Sequence, residues 1–201
     1  MVNGILPLRI VTMKQKKEEG ILFVSSNSNK YQEIKPILDI NKIKSHFVKM
    51  SLQEIQSESV YSIAKQKSKY AFEQVVRPVI IEDDGFYIRS LKGFPGQYSS
   101  FVFRTLGNRG ILRLMEDRMN RRAHFLSVIG YYDGHTFKSF SGITEGLISE
   151  VATKSGWGFD PIFIPDNTDK TYAELGLLNR KVLFSHRSKS INRFSEWYVS
   201  R

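Results

Sequence analysis

Two groups of residues in this chain have the types and order that polyphosphate chemistry needs. The first follows a short apolar run, Ile21-Leu22-Phe23-Val24, and reads Ser25-Ser26-Asn27-Ser28-Asn29-Lys30, ahead of a helix-like stretch that contains Glu33. Free backbone N–H groups at a helix start bind anions, and Lys30 adds a point charge. An ordinary N-cap is the competing reading, because Ser and Asn are favoured there. The second group ends another apolar run, Pro78-Val79-Ile80-Ile81, and reads Glu82-Asp83-Asp84-Gly85. Adjacent carboxylates repel one another, a hard divalent cation relieves that repulsion, and one of them can serve a water as general base. A solvated acidic turn is the alternative. An amide and a lysine at one strand end, with carboxylates at another, point to nucleotide hydrolysis.

Three further groups say less by themselves. Gly93-Phe94-Pro95-Gly96-Gln97-Tyr98-Ser99 reads as a rigid loop without evident chemistry, hence scaffold. Gly156-Trp157-Gly158-Phe159-Asp160-Pro161 sets two aromatics around a glycine, where a flat base can lie and Asp160 can accept from a ring N–H. Both rings being plain core is the other reading. Lys181, then Ser185-His186-Arg187 at a helix start, supply donors for carbonyl oxygens, against surface charge and a cap.

The elements that must position these groups follow from periodicity. Residues 21–25 read as a buried strand, and 28–39 as a helix with Ile34, Ile37 and Leu38 on one face and Pro36 as a source of a kink. Residues 43–49 suggest a strand, 59–75 a helix, 78–83 a buried strand and 107–116 a short helix. Residues 123–132 and 135–142 form a hairpin around Asp133-Gly134, with the strand continuing over 143–151, and 185–199 close the chain as an amphipathic helix. Strands and helices mix without strict alternation. The expected fold is a single domain, α/β or α+β, of one or two lobes, with a long mixed sheet flanked by helices.

Composition bounds the rest. At 201 residues and 41% hydrophobic, the chain is long and apolar enough for one real core. No apolar run approaches the roughly 18–20 residues of a membrane span. Residues 1–20 hold an apolar patch from Gly4 to Val11, then Lys14, Lys16 and Lys17, without a signal-cleavage pattern. They read as an N-terminal extension to a domain over 21–201, with Met13 as an alternative start. The absence of cysteine excludes disulfides and thiolate metal sites and fits a cytoplasmic protein. A net charge of +10 fits nucleic acid or anionic small molecules such as nucleoside triphosphates, but the Lys and Arg residues are dispersed, as on a solvated surface.

Taken in order, the motifs SSNSNKYQE, IIEDDGF, LKGFPGQYSSFV, GWGFDPIF, KTYAEL and KVLFSHR resemble those of the Ham1/inosine triphosphate pyrophosphatase family, in a style closest to its archaeal members. The resemblance runs from about Ile21 to the C-terminal helix. It implies an α/β fold with two lobes around a central cleft, and a Mg²⁺-dependent homodimeric enzyme that cleaves ITP, dITP and XTP to the monophosphate and pyrophosphate, by attack of water at the α-phosphorus. It implies Ser25, Ser26, Asn27 and Lys30 as the triphosphate loop and Asp83 as the catalytic aspartate. Glu54 joins Asp83 as a metal ligand, with Glu58 as rival candidate. Lys67 is the substrate lysine, with Lys65 and Lys69 as rivals. Trp157, Gly158, Phe159, Asp160, Lys181, His186 and Arg187 form the base pocket. Donors at His186 and Arg187 suit the C6 carbonyl of hypoxanthine or xanthine and oppose adenine's amino group, and an unpaired buried polar group costs about 1–3 kcal/mol.

Three positions depart from the family pattern: Ser26 stands where a glycine is usual, Asp84 where Ser or Thr is common, and Trp157 and Phe159 set their own ring surface. Two other functions stay open at this point. One is a Maf-like nucleotide pyrophosphatase with a different base preference. The other is a basic, non-enzymatic nucleic-acid-binding protein with no need of Asp83. The family reading carries neither a stable nucleic-acid partner nor a membrane.

Overall fold

The computed structural model describes residues 20–201, so the readings made for the segment before Gly20 lie outside the described residues. The apolar run Ile21–Ser25 forms β1, buried on both faces between two parallel neighbours, β2 (Ser45–Lys49) and β3 (Val79–Ile88). Helix α1 (Ser28–Ile40) crosses from β1 to β2 and helix α2 (Val60–Val75) from β2 to β3. The spacing of Ile34, Ile37 and Leu38 lays one stripe of α1 in the core, and the helix runs on through Pro36, which lies on its exposed face. Ser59 caps α2 by accepting from the Ser62 N–H at 3.3 Å.

The rest of the sheet is antiparallel. Strand β5 (Arg122–Tyr132) pairs with β3 along its whole length, from Val79↔Tyr132 to Ile88↔Ala123. Strand β6 (Phe137–Ile148) forms the hairpin with β5, closed where Asp133 Oδ1 accepts from the N–H groups of His135 and Thr136. Strand β7 (Phe163–Pro165) adds to β6, and a short β4 (Pro95–Gly96) adds to β3. The sheet has seven strands in the order β2-β1-β3-β5-β6-β7, with β4 beside β3. This is the expected mixed sheet flanked by helices. The remaining helices are α3 (Ser99–Thr105), α4 (Gly107–Leu114), α5 (Tyr172–Leu177) and α6 (His186–Val199).

One expectation needs correction. The buried strand does not end at Asp83; it continues five residues further, with the acidic triplet in its middle. Strand periodicity explains how it survives there, since successive side chains point to opposite faces. Val79 and Ile81 pack with Val60, Ala64 and Val128 under α2, so Asp83 belongs to that face. Ile80 packs with Phe23, Ile34 and Phe194, whereas Phe86 and Ile88 pack with Phe125, Phe159 and Phe163. Glu82 and Asp84 therefore fall between two apolar clusters on the face covered by α6.

Strand β3 also carries the opening of the molecule. Strand β1 pairs with it only at Val79 and Ile80, and β4 only at Phe86 and Tyr87. Among the described residues, positions 81–85 have a strand partner on the β5 side alone. A cleft occupies the vacant side, at the carboxyl end of β1, where ligands bind in open α/β sheets.

Helix α6 is set against the sheet by a glycine. A Cβ at Gly142 of β6 would lie 2.2 Å from the His186 carbonyl oxygen and 2.6 Å from the Ser190 nitrogen. Both obstacles are backbone, so relief requires the helix to move. We expect Gly142→Ala to cost about 1–3 kcal/mol through overpacking, or roughly 3–10 °C in Tm. Thermal denaturation of the two proteins checks this, and an unchanged Tm would show that α6 does not bear directly on Gly142.

Candidate active site

The cleft has a volume of about 710 Å³ and is lined by the loop after β1, the segment after β2 with Lys67 of α2, the centre of β3, the segments that follow β4 and β6, and the start of α6. Ser25, Ser26, Asn27 and Lys30 all line it. Ser25 Oγ accepts from the Asn27 N–H at 3.1 Å, and Asn27 Oδ1 accepts from the Asn29 N–H at 3.0 Å. Asn27 is thus the N-cap of α1, and the turn aims the helix start at the cleft. Ser26 is exposed and is not among the residues with positive φ, so this loop closes without the freedom of glycine.

Each face of β3 binds its carboxylates to a different cation. On the α2 face, Lys67 Nζ lies 3.2 Å from Asp83 Oδ2 and also donates to Glu54 Oε1. Lys67 is buried, whereas Lys65 and Lys69 are exposed on α2 and do not line the cleft. Glu54 lines it and Glu58 does not. Burial pushes the Asp83 carboxyl up to about 6, against the pull of Lys67 and Lys30.

On the other face, Lys30 Nζ lies 2.9 Å from Glu82 Oε2 and 3.5 Å from Asp84 Oδ2. Burial disfavours the lysine's charge, but Asp84 and Glu82 outweigh it and hold its pKa above the usual lysine range. Arg187 completes the group. Its Nε lies 3.1 Å from Glu82 Oε1, while its two terminal nitrogens donate to Asp84 and to Glu33. Burial opposes the Asp84 charge, yet Lys30 and Arg187 hold that carboxyl well below the usual range. Asp84 therefore meets two cations rather than adding an uncompensated charge.

Glu33 is the member that the sequence reading left without a role. It lies on the core-facing side of α1, one turn after Lys30, where a glutamate must meet a cation. Its carboxylate accepts from Lys181 and Arg187 and, at 3.1 Å, from Trp157 Nε1. Burial opposes its charge, but Arg187 and Lys181 lower its pKa to about 2. Trp157 is half-buried and lines the cleft, with Lys181 and Arg187 at 5.2 and 5.3 Å from its ring centroid. Lys181 itself lies behind the wall, donating to Asp160 at 2.6 Å. Burial raises the Asp160 carboxyl, partly offset by Lys181.

The aromatic loop is asymmetric. Phe159 reaches the cleft but is buried in the core, stacked on Phe86 at 5.0 Å, so two free rings do not face one another. Gly158 has φ +60, and its carbonyl accepts from Asn108 Nδ2 at 3.1 Å, which ties the loop to α4. His186 lies at the start of α6, stacked on Phe125 at 4.6 Å. Burial, then the Arg187 charge, hold its pKa well below the usual value, so the ring is neutral. Its Nε2 is buried without a protein partner. Arg187 differs: both of its terminal nitrogens already donate to carboxylates. The Gly93–Ser99 segment is more than scaffold, since Gln97, Tyr98 and Ser99 form one wall of the cleft.

Two carboxylate groups are candidates for a cation. Glu82, Asp84 and His186 offer ligand atoms within 4.8 Å of one another, but Lys30 and Arg187 already sit on those carboxylates, which disfavours a further cation. Asp83 and Glu54 converge on one ammonium, that of Lys67, and Glu54 is 61% exposed. That donor set retains negative charge and access, as a hard divalent cation requires.

Comparison with known proteins finds a matching family and similar chains. The Ham1 family profile matches residues 21–197. The chain is 45% identical over 180 residues to a dITP/XTP pyrophosphatase of Methanopyrus kandleri, covering 89% of this chain and 95% of the relative. It is likewise 45% identical over 179 residues to one of Pyrococcus horikoshii, covering 88% and 95%. Among solved structures, a HAM1 protein from Coxiella burnetii matches with TM-score 0.76 at 25% identity, over 90% of this chain and all of that one. The Staphylococcus aureus Ham1 protein matches with TM-score 0.74 at 26% identity, over 89% and 98%.

The raised pKa of Asp83 has a signed consequence for stability. The folded protein binds that proton more tightly than the unfolded chain, so stability falls as pH rises from about 4 to about 6. Above that window the ionised carboxylate costs on the order of 3 kcal/mol. In metal-free protein, Asp83→Asn should raise Tm relative to wild type at pH 8 by roughly 5–10 °C more than at pH 4. An equal effect at the two pH values would mean that Asp83 ionises as an ordinary surface carboxylate.

Proposed function

This chain belongs to the Ham1 family, and from that premise we propose that it is a nucleoside-triphosphate pyrophosphatase that clears ITP, dITP and XTP by releasing the monophosphate and pyrophosphate. The observation that carries the proposal is the division of β3. One face offers a carboxylate with a pKa of about 6 beside a lysine, and the other offers a charge-compensated pocket with a neutral histidine. The names of the archaeal relatives support the substrate class.

In this reading Asp83 accepts the proton of a water that attacks the α-phosphorus. A carboxylate with a pKa near 6 is ionised at neutral pH yet basic enough to take that proton. Lys67 holds the carboxylate in place and brings positive charge to the same point. Lys30 and the amides at the start of α1, set by Asn27 with Ser25 and Ser26, bind the polyphosphate. Glu54 and Asp83 would hold a divalent cation, with Mg²⁺ as our assignment. When bound, such an ion neutralises phosphate charge and polarises the reacting phosphoryl group.

The base lies against Trp157 and Gly158, with Phe159 and Asp160 behind them. His186 Nε2, left unpaired in the protein, takes a polar edge of the base. Lys181 and Arg187 act through Glu33, which fixes Trp157. A C6 carbonyl suits this donor-rich wall better than an amino group, and mismatched buried polar groups discriminate strongly. We assign the catalytic unit to residues 21–201, working in the cytoplasm as a homodimer.

Pyrophosphate release from dITP, XTP, GTP and ATP with Mg²⁺ tests the reading. We expect turnover of dITP and XTP, little of GTP or ATP, and a loss of about 10²–10⁴-fold in Asp83→Asn. Equal release from all four would keep the hydrolase and overturn the base pocket. No release from any would overturn the function.

A further inference from the structure

Four cations line the cleft among the described residues: Lys30, Lys67, Arg104 and Arg187. Three of them are held by carboxylates. Lys30 meets Glu82 and Asp84, Lys67 meets Glu54 and Asp83, and Arg187 meets Glu33, Glu82 and Asp84. Carboxylates also outnumber cations along the lining, which adds Asp160 to Glu54, Glu82, Asp83 and Asp84. A polyanionic substrate entering this cleft meets positive charge that is already neutralised. To use it, the substrate must share or break ion pairs that are largely buried, and breaking a buried pair is costly.

Arg104 is the exception. It lies on the seven-residue helix α3 and is exposed, and its hydrogen bond is to a hydroxyl, Nη1 donating to Ser100 Oγ at 3.0 Å one turn earlier. No carboxylate holds it among the described residues. Helix α3 follows β4, which borders the vacant edge of β3 at Phe86 and Tyr87, whereas the Lys30 loop follows β1, which borders that edge at Val79 and Ile80. Arg104 therefore lines the cleft on the helix that follows β4, and Lys30 lines it from the start of α1, after β1. Its planar fork can take two phosphate oxygens at once, and its long stem reaches without moving the helix.

We infer that Arg104 is a substrate-binding residue that closes on the polyphosphate from the α3 wall, complementing Lys30 without the loss of a buried ion pair. This rests on the triphosphate-hydrolase reading above and extends it to the helix that follows the Gly93–Ser99 loop. Helix α3 also contributes Phe103, edge-on to Phe159 at 5.4 Å, so a stacking role at the base end is the rival to be separated by experiment.

The test compares wild type, Arg104→Gln and Arg104→Lys in kcat and KM for ITP, with inosine and pyrophosphate as inhibitors. Binding of inorganic tripolyphosphate is measured in parallel by calorimetry. Arg104→Gln should raise KM about tenfold, and weaken pyrophosphate and tripolyphosphate to a similar degree, with inosine unchanged. Arg104→Lys should recover most of that loss, and Tm should be the same in all three. Unchanged KM and tripolyphosphate affinity would overturn the inference, as would inosine weakened in proportion or Arg104→Lys no better than Arg104→Gln. If wild type released no pyrophosphate from ITP, the hydrolase reading would fail, and the tripolyphosphate titration would still decide the role of Arg104.

Discussion

The buried ion pair between Glu82 and Arg187 is the constraint around which the site is arranged. Their side chains are 0% and 2% exposed, with Nε to Oε1 at 3.1 Å. Neither charge is tolerable there alone, and loss of one partner of such a pair costs about 3–5 kcal/mol. The pair sits on the face of β3 between two apolar clusters, at the wall of the cleft. Ser127 donates to Glu82 at 2.7 Å and in turn meets Ser190 of α6 at 2.8 Å, which ties the carboxylate to the same helix that carries Arg187. The position of α6 on the sheet is therefore set by charge as well as by the close approach at Gly142.

From that pair the other partners follow in turn. The Arg187 guanidinium carries donors beyond the edge that faces Glu82, and Asp84 and Glu33 accept from its terminal nitrogens. Asp84 and Glu82 then exceed one cation, and Lys30 compensates them from the start of α1. Glu33 in turn collects Lys181 and Trp157. A single connected network thus links the loop after β1, the centre of β3, the aromatic loop and α6. Asp83 stays outside it on the opposite face, in a separate group with Lys67 and Glu54. That separation lets Asp83 keep a pKa of about 6 while Asp84, next in sequence, is held well below the usual carboxylate range.

Much of the frame was legible in the sequence because local patterns specify it. The apolar run at 21–25, the stripe of Ile34, Ile37 and Leu38, and the Asp133-Gly134 turn all formed where periodicity and turn chemistry placed them. The continuation of β3 through Glu82-Asp83-Asp84 was not legible, because the compensation that makes it tolerable comes from far along the chain. Asp84 and Arg187 are 103 residues apart. Glu33 escaped assignment for the same reason, as its partners lie 124 to 154 residues away. Lys65, Lys67 and Lys69 are alike in sequence, and only the direction in which α2 faces the sheet selects Lys67 for the cleft. The Gly93–Ser99 loop read as scaffold because a wall is defined by what stands opposite it.

The alternation of β3 has a consequence for how this protein can change over evolutionary time. Strand side chains repeat with a period of two, and a one-residue slip exchanges the faces. A single inserted or deleted residue between Val79 and Glu82 would turn Asp83 toward Arg187, and Glu82 and Asp84 toward α2, stranding every charge at once. Substitutions can drift through the surface and the loops, but the length of this segment is closed to indels. Its residue count is under tighter constraint than most of its residue identities.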